Sequence, residues 1–208
     1  MWNMCAALVA RRGTWSVTST KITHAWARGG LGLLQQPSGS RHASQESDGK
    51  FTHLSDDGKS PRMVNVADKR VTQRTATART TIRLPPAVLE ALKSDSGELV
   101  GRKGPIGTTA IIAGVLGAKQ TSSLIPFCHP LPLEDCQIQI RTASEGTIEI
   151  DCHVRVTHKT GVEMEALTGA SVAALCVYDM CKALSHDIVI EQTRLVRKTG
   201  GKSDFVGT

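Results

Sequence analysis

Two runs of alternating polar and apolar residues, QIQIR at 137–141 and TIEIDCHVRV at 147–156, constrain the fold of this chain more than any other stretch. Apolar side chains at every second position are typical of a strand with one buried face. Between the runs lies ASEG at 143–146, whose Ser and Gly favour a turn. The pattern therefore predicts a β-hairpin with one face on a core.

The segments before the hairpin predict a strand and two helices. TTIRL at 80–84 alternates and is rich in β-branched residues, which indicates a strand. The prolines that open PPAVLEAL at 85–92 suit the first turn of a helix. A further helix, N-capped by Thr108 or Thr109, is predicted to continue to about Thr121.

The segments after the hairpin predict a long helix over residues 162–184 and a last strand over residues 188–196. The complete order predicts an α+β fold with a ferredoxin-like β-α-β-β-α-β core and an additional helix. The helix before the hairpin also carries a stripe of small residues, and tight packing inside the domain is favoured over a subunit interface as its purpose. The stripe consists of Ala110, Ala113, Gly114, Gly117 and Ala118.

The first 45 residues differ in charge from the rest of the chain. They hold five of the 25 Lys and Arg residues and no Asp or Glu, so residues 46–208 hold 20 basic and 19 acidic residues. This composition is typical of an organelle presequence, and we expect the mitochondrial matrix as the destination. The alternatives are a disordered tail or translation from an early start codon. The predicted organisation is a presequence at 1–45, a linker at 46–60 and one domain at 61–208.

The remaining composition narrows the function. Balanced charge after residue 45 and a hairpin without Phe, Tyr or Trp disfavour nucleic acid as a partner. No run of 18 apolar residues predicts a membrane span. The six cysteines form no Cys-x-x-Cys pair, which disfavours a structural zinc site, and no cofactor is predicted.

Asp179 and Lys182 are the only charged residues between Glu165 and His186. Their spacing places both side chains on one side of the predicted helix. Two interpretations stay open: an exposed ion pair, or a charged pair that faces an enclosed site and serves acid–base chemistry. Glu163 and Glu165, near the start of the same helix, suit the helix dipole and could equally orient a substrate.

Four motifs together resemble the cyclic pyranopterin monophosphate synthase family of molybdenum cofactor biosynthesis. They are TGVEMEALT at 160–168, YDMCKA at 178–183, LIPFCHP at 124–130 and KTGGK at 198–202. The resemblance implies a lyase that converts (8S)-3′,8-cyclo-7,8-dihydroguanosine 5′-triphosphate to cyclic pyranopterin monophosphate with release of diphosphate. It also implies a radical GTP 3′,8-cyclase as functional partner, and hexamers built from dimers with active sites at subunit boundaries.

The resemblance further implies functions for single residues. Lys103 and Lys182 match catalytic lysines, and Asp179 matches the helix-borne partner of Lys182. An enclosed lysine would have a lowered pKa and could act as an acid or a base. Substrate-binding positions are matched by Arg74, Cys128, His129, Glu163, Met164, Glu165 and Lys198. Arg74 and Lys198 are expected to reach the phosphates from a neighbouring subunit.

The chain departs from the family pattern at Asn65 and Pro105, each of which replaces an aspartate. Both changes remove a carboxylate, and together they suggest an alternative, an inactive family member that binds phosphate or a pterin precursor or acts in assembly. A cyclohydrolase acting directly on GTP is a further alternative. It is disfavoured because such an enzyme would normally use zinc, and the cysteine spacing offers no zinc site.

Overall fold

The computed structural model describes residue 54 and residues 58–92, 99–101, 104–144 and 146–207. The main strands are β1 (Thr72–Arg83), β4 (Asp135–Ser144), β5 (Thr147–His158), β6 (Val189–Thr199) and β7 (Phe205–Val206). They form one antiparallel sheet in the order β4–β5–β1–β6–β7. Two short strands, β2 (Val100–Gly101) and β3 (Gly104–Pro105), pair separately. The predicted presequence and most of the predicted linker lie outside the described residues.

The predicted hairpin is confirmed as β4 and β5. Cys136 pairs with Val154 and Ile138 with Cys152, which places the apolar residues of both strands on one face. Alternate residues of β5, from Ile148 onwards, are buried in the core. Gly146 has a φ of 84°, the left-handed backbone that the turn requires and that glycine adopts most easily.

Two long helices, α2 (Ile106–Lys119) and α4 (Glu163–Cys181), pack on the buried face of the sheet, and α1 (Pro86–Leu92) and α3 (Thr121–Leu124) are short. The predicted N-cap of α2 is wrong. The helix begins earlier, with Pro105 as N-cap residue, and the hydroxyl of Thr109 donates to the Pro105 carbonyl at 2.6 Å within the first turn.

Glycines bring α2 and α4 close together. A Cβ on Gly114 would lie 2.8 Å from the carbonyl oxygen of Gly169, and a Cβ on Gly117 would lie 2.8 Å from Val172. The stripe of small residues on α2 therefore serves packing inside the domain, which was the favoured interpretation.

The sheet order is that of a ferredoxin-like core. The four strands of that core are, in chain order, β1, β4, β5 and β6. Across the sheet they follow the order β4, β5, β1, β6, which is second, third, first, fourth. The helices α2 and α4 are its two helices, whereas α1, α3, β7 and the small β2–β3 pair are additions. The predicted α+β fold is confirmed, with more additions than the one extra helix expected.

Helix α4 is long and apolar enough, by length and composition alone, to cross a membrane. Eight of its residues are buried within the domain, in a stripe that includes Ala166, Ala170, Ala173 and Val177. A core helix has the same composition, so we interpret the apolar character of α4 as packing against the sheet and α2.

The opposite face of the sheet is polar and carries a network of ion pairs. Arg79 donates hydrogen bonds of 2.7 and 3.0 Å to the two carboxylate oxygens of Asp151 and lies 3.3 Å from Glu149. Arg141 binds the same two carboxylates at 2.5 Å. Burial acts to raise the pKa of Asp151, but the hydrogen bonds from both arginines outweigh it and lower that pKa.

Candidate active site

A cavity of about 310 Å³ lies between the loop after α3 and the start of α4. The loop contributes Ile125, Pro126, Phe127, Cys128, His129 and Leu131. The segment that begins α4 contributes Thr160, Gly161, Glu163, Met164 and Glu165. The loop side is mostly apolar and the helix side supplies carboxylates, a combination typical of pockets that bind and orient small molecules.

Five of the ten predicted site residues line this cavity together. They are Cys128, His129, Glu163, Met164 and Glu165. The apolar wall of the cavity was not predicted, although Ile125, Pro126 and Phe127 belong to a motif used for the resemblance. One sequence feature could have predicted this wall. The apolar residues of the motif follow neither a strand nor a helix period, so they are not explained by packing on the core.

Glu165 is buried, with 3% of its surface exposed. Its Oε1 accepts a hydrogen bond from the Cys128 thiol at 3.5 Å, and its Oε2 has no partner among the described residues. Burial, reinforced by the nearby charge of Glu163, raises the pKa of Glu165. A carboxyl group with a raised pKa can hold a proton closer to neutral pH and deliver it to a bound ligand.

The Cys128 thiol is held in its neutral form. Burial and then the charge of Glu165 raise its pKa to about 11. The thiolate is the nucleophilic form of cysteine, so Cys128 is suited to hydrogen bonding and contact rather than to covalent catalysis.

Glu163 lines the cavity and forms an ion pair with Lys198, which is not itself a lining residue; we call the position of this pair the rim. The Lys198 Nζ lies 3.1 Å from Glu163 Oε1, and each side chain is 31% exposed. Lys198 lies on β6, where it pairs with Ala76 of β1. Lys198 therefore contacts a cavity-lining residue of its own chain, and its expected reach to the phosphates of a neighbouring subunit stays a prediction.

Arg74 lies beside the turn that follows Lys198. Its Nε donates a hydrogen bond of 3.0 Å to the carbonyl oxygen of His158. Gly200, with a φ of 78°, packs against the backbone of β1 next to Arg74, and a side chain at position 200 would collide with the Gln73 carbonyl. Arg74 is not among the cavity-lining residues, so the structure places it near Lys198 without bringing it into the cavity.

Asp179 and Lys182 lie at the far end of α4. The Lys182 Nζ is 2.7 Å from Asp179 Oδ1, and the side chains of Lys182 and Asp179 are 49% and 60% exposed, respectively. The hydrogen bond to Asp179, followed by the charge of that carboxylate, raises the pKa of Lys182. In a single chain the two residues thus form an exposed ion pair. A single chain does not enclose Lys182 or lower its pKa.

The length of α4 separates the two groups of predicted residues. Glu165 and Asp179 are 14 residues apart on one helix, which corresponds to about 21 Å along its axis. No side chain covers that distance, so one chain cannot bring Glu165 and Asp179 into contact. The predicted catalytic Lys103 lies outside the described residues.

Comparisons with known proteins agree with this arrangement of motifs. The family model described as the MoaC family matches residues 63–201. A cyclic pyranopterin monophosphate synthase of Xanthomonas oryzae pv. oryzae is 54% identical over 156 residues, which cover 75% of this chain and 93% of that protein.

Two longer relatives match the chain over part of their length. "Molybdenum cofactor biosynthesis protein 1" of Dictyostelium discoideum is 47% identical over 168 residues, 74% of this chain and 27% of that protein. A "Molybdenum cofactor biosynthesis bifunctional protein" of Synechocystis sp. is 46% identical over 162 residues, 76% of this chain and 46% of that protein. The chain therefore spans about a quarter and about half of these two relatives.

Proposed function

The chain belongs to the MoaC family, and from this membership we propose that it is a cyclic pyranopterin monophosphate synthase, a lyase of molybdenum cofactor biosynthesis. It converts (8S)-3′,8-cyclo-7,8-dihydroguanosine 5′-triphosphate to cyclic pyranopterin monophosphate and releases diphosphate. The structural observation that carries this proposal is the cavity that Cys128 and His129 line together with Glu163 and Glu165.

The cavity fits the ring part of such a substrate. Its apolar wall suits a flat ring system, and Glu165 offers a carboxyl group whose unpartnered oxygen can exchange a proton. Lys198 at the rim, with Arg74 nearby, supplies positive charge for the phosphates. A cavity of about 310 Å³ holds only part of a nucleoside triphosphate, so the phosphates extend over the rim towards these cations.

The complete site draws on two chains. Asp179 and Lys182 cannot reach the cavity of their own chain, so their participation requires a second copy. Apolar side chains on the helices support such a contact, since Leu175 lies one turn before Asp179 and is 58% exposed, and Ile112 and Leu116 are exposed on one face of α2. We infer a homo-oligomer, with the hexamer built from dimers as its expected form.

The functional partner is a radical GTP 3′,8-cyclase, which makes the substrate. The bifunctional relative supports a partnership within the pathway, because it joins a segment like this chain to a second segment of comparable length. We place the reaction in the mitochondrial matrix on the composition of residues 1–45. Fusing residues 1–45 to a fluorescent protein tests this placement, and a signal outside mitochondria would contradict it.

The two departures from the family pattern are accommodated locally. Asn65 Oδ1 accepts a hydrogen bond from the Ala67 amide at 2.9 Å, a turn that an aspartate would also make. Pro105 stands at the N-cap of α2, where the absence of an N–H removes no helical hydrogen bond. Neither change therefore disturbs the local fold that an active enzyme needs.

The test supplies the full chain with freshly made cyclic dihydro-GTP and follows diphosphate release together with pterin formation. We expect turnover by the parent and its loss in Lys182→Ala and Glu165→Gln. If the folded parent binds the substrate but shows no turnover, the synthase hypothesis is wrong and the chain is an inactive binding protein.

A further inference from the structure

The carboxylate of Glu163 lies directly over the backbone of Gly161. Helix α4 begins at Glu163, immediately after the fully buried Val162, and the Glu163 side chain folds back over this entry. A Cβ placed on Gly161 would overlap Glu163 Oε2 and lie 2.7 Å from its Cδ. The carboxylate occupies this position only because residue 161 has no side chain.

The same carboxylate holds Lys198 through its other oxygen, Oε1, at 3.1 Å. Ion pairs at this degree of exposure are weak and are readily exchanged for contacts with water. The pair depends on the fold-back of Glu163, which the missing side chain of Gly161 permits, and it joins β6 to a residue that lines the cavity.

Neither the helix dipole nor the backbone accounts for a glycine at position 161. The dipole favours a carboxylate anywhere in the first turn of α4, without selecting the conformation that lies over the preceding residues. Gly161 does not have a positive φ. Among the described residues the glycines with a positive φ are Gly58, Gly104, Gly146 and Gly200. The three atoms nearest to its Cβ position all belong to Glu163, so core packing does not require glycine either.

We propose that Gly161 is a positioning residue, whose missing side chain lets Glu163 fold back and hold Lys198 at the rim of the cavity. The pair then presents the Lys198 ammonium group where the phosphates of the substrate leave the cavity. The identity of that ligand rests on the proposed function, whereas the dependence of the ion pair on Gly161 does not.

The first measurement is a crystal structure of the full chain and of its Gly161→Ala variant. We expect the alanine methyl to displace the carboxylate and to open the Nζ–Oε1 distance beyond the roughly 4 Å limit of an ion pair. The folded state should tolerate the change, because the displaced atoms are the end of a flexible side chain. A pair that stays near 3.1 Å in the variant would overturn the proposal.

The second measurement separates positioning from general damage through KM and kcat. Gly161→Ala should raise KM by about tenfold with little change in kcat, as loss of a substrate-binding contact does. Gly117→Ala is the matched control, because it perturbs the packing of α2 on α4 and should lower Tm while leaving KM unchanged. A Gly161→Ala variant that lowers Tm and keeps the parental KM would also overturn the proposal.

A double-mutant cycle with Glu163→Gln tests whether Gly161 acts through Glu163. The uncharged amide of the Glu163→Gln variant cannot form the ion pair, so Gly161→Ala should add no further rise in KM in that background. A second tenfold rise would show that Gly161 acts by another route, which would overturn the proposal. If the parent shows no turnover, the proposed function fails, and the crystallographic distance still decides the positioning role.

Discussion

The Cys128 thiol donates a hydrogen bond to Glu165 Oε1 at 3.5 Å, and Oε2 of the same carboxyl is buried with no partner among the described residues. A buried carboxyl with one oxygen unsatisfied is costly when it is ionised. The pair therefore consists of a neutral thiol and a carboxyl group whose protonated form is favoured by burial. Both groups line the cavity.

Glu165→Gln should become more stable relative to the parent as the pH rises. The folded pKa of Glu165 is raised above its ordinary value of 4.5, so the parent loses stability as the pH rises from there through the folded pKa. Gln keeps an acceptor for the Cys128 thiol and does not ionise. Thermal unfolding of both proteins between pH 4 and 8 measures the difference, and a constant difference would contradict the assignment.

Cys128 should react slowly with iodoacetamide at neutral pH. A thiol with a pKa of about 11 holds roughly three-hundredfold less thiolate at neutral pH than an ordinary cysteine with a pKa near 8.5. Cys136 is the internal reference, since it is half buried and a hydrogen bond from Cys152 lowers its pKa. Peptide mass spectrometry reads both residues in one digest, and equal labelling at pH 7.5 would be inconsistent with a neutral Cys128.

Asp151→Asn should destabilise the protein by about 2 kcal/mol at pH 7, because it removes charged hydrogen bonds to Arg79 and Arg141. The pKa of Asp151 is lowered from 3.8, so its contribution is present above that pH and is lost as the pH falls through the folded pKa. The difference in the free energy of unfolding between parent and variant, measured by urea denaturation, should therefore decrease as the pH falls below 3.8.

Glu191→Gln is the matched control for the Asp151 variant. It breaks a pair of the same kind, in which Arg83 Nε lies 2.8 Å from Glu191 Oε1, but both side chains are exposed. Exposed pairs contribute at most about 1 kcal/mol, so the control should unfold close to the parent. Equal losses in the two variants would mean that partial burial of the Asp151 network adds nothing.

Gly117→Ala should lower the free energy of unfolding by about 1 kcal/mol. Alanine gains about 1 kcal/mol in helix propensity, but its methyl would lie 2.8 Å from Val172, and overpacking of a core costs about 1–3 kcal/mol. A Val172→Ala background removes the two γ-methyl contacts but keeps the Cβ, which also lies 2.8 Å away, so the same change should cost less there. Urea denaturation of the four proteins measures both effects, and a Gly117→Ala variant as stable as the parent would refute the packing argument.

Mixing two inactive variants should restore activity if the site is shared between chains. Glu165→Gln damages the cavity and Lys182→Ala damages the far end of α4, so a site that takes one intact half from each chain forms in roughly a quarter of random pairings. Diphosphate release after co-refolding measures the recovery. Mixing Lys182→Ala with Asp179→Asn, which lie at the same end of α4, should restore nothing, and equal recovery in both mixtures would argue against a shared site.

The sequence predicted the hairpin and the long helix because their periods are strong, whereas β1 was found only in part. Residues 80–84 alternate β-branched and apolar side chains, but residues 72–79 bury only small ones, Ala76 and Ala78, so their alternation carries little hydrophobic signal. The start of α2 was missed because a proline at the N-cap of a helix gives a weaker signal than the two threonines that follow.

The resemblance implied sites at subunit boundaries, but the separation of the site residues between the two ends of α4 was not predicted. Periodicity placed Asp179 and Lys182 on one side of α4, but it could not say whether that side meets solvent, since exposure depends on which elements pack there. The fold-back of Glu163 over Gly161 was equally out of reach, because it depends on a rotamer and on the position of β6.

The central position of β1 also determines when the fold can be completed. Thr75 on β1 bonds to Thr199 on β6 through their hydroxyls, across 124 residues of chain, and on its other side β1 pairs with β5. Such distant pairings slow folding, because the chain loses the entropy of closing a long loop before the stabilising contacts form. During synthesis the hairpin of β4 and β5 can form early, but one edge of β1 stays open until β6 leaves the ribosome. The nascent chain thus exposes an unpaired strand for most of its translation, and that is the interval in which it is most prone to aggregate and most dependent on chaperones.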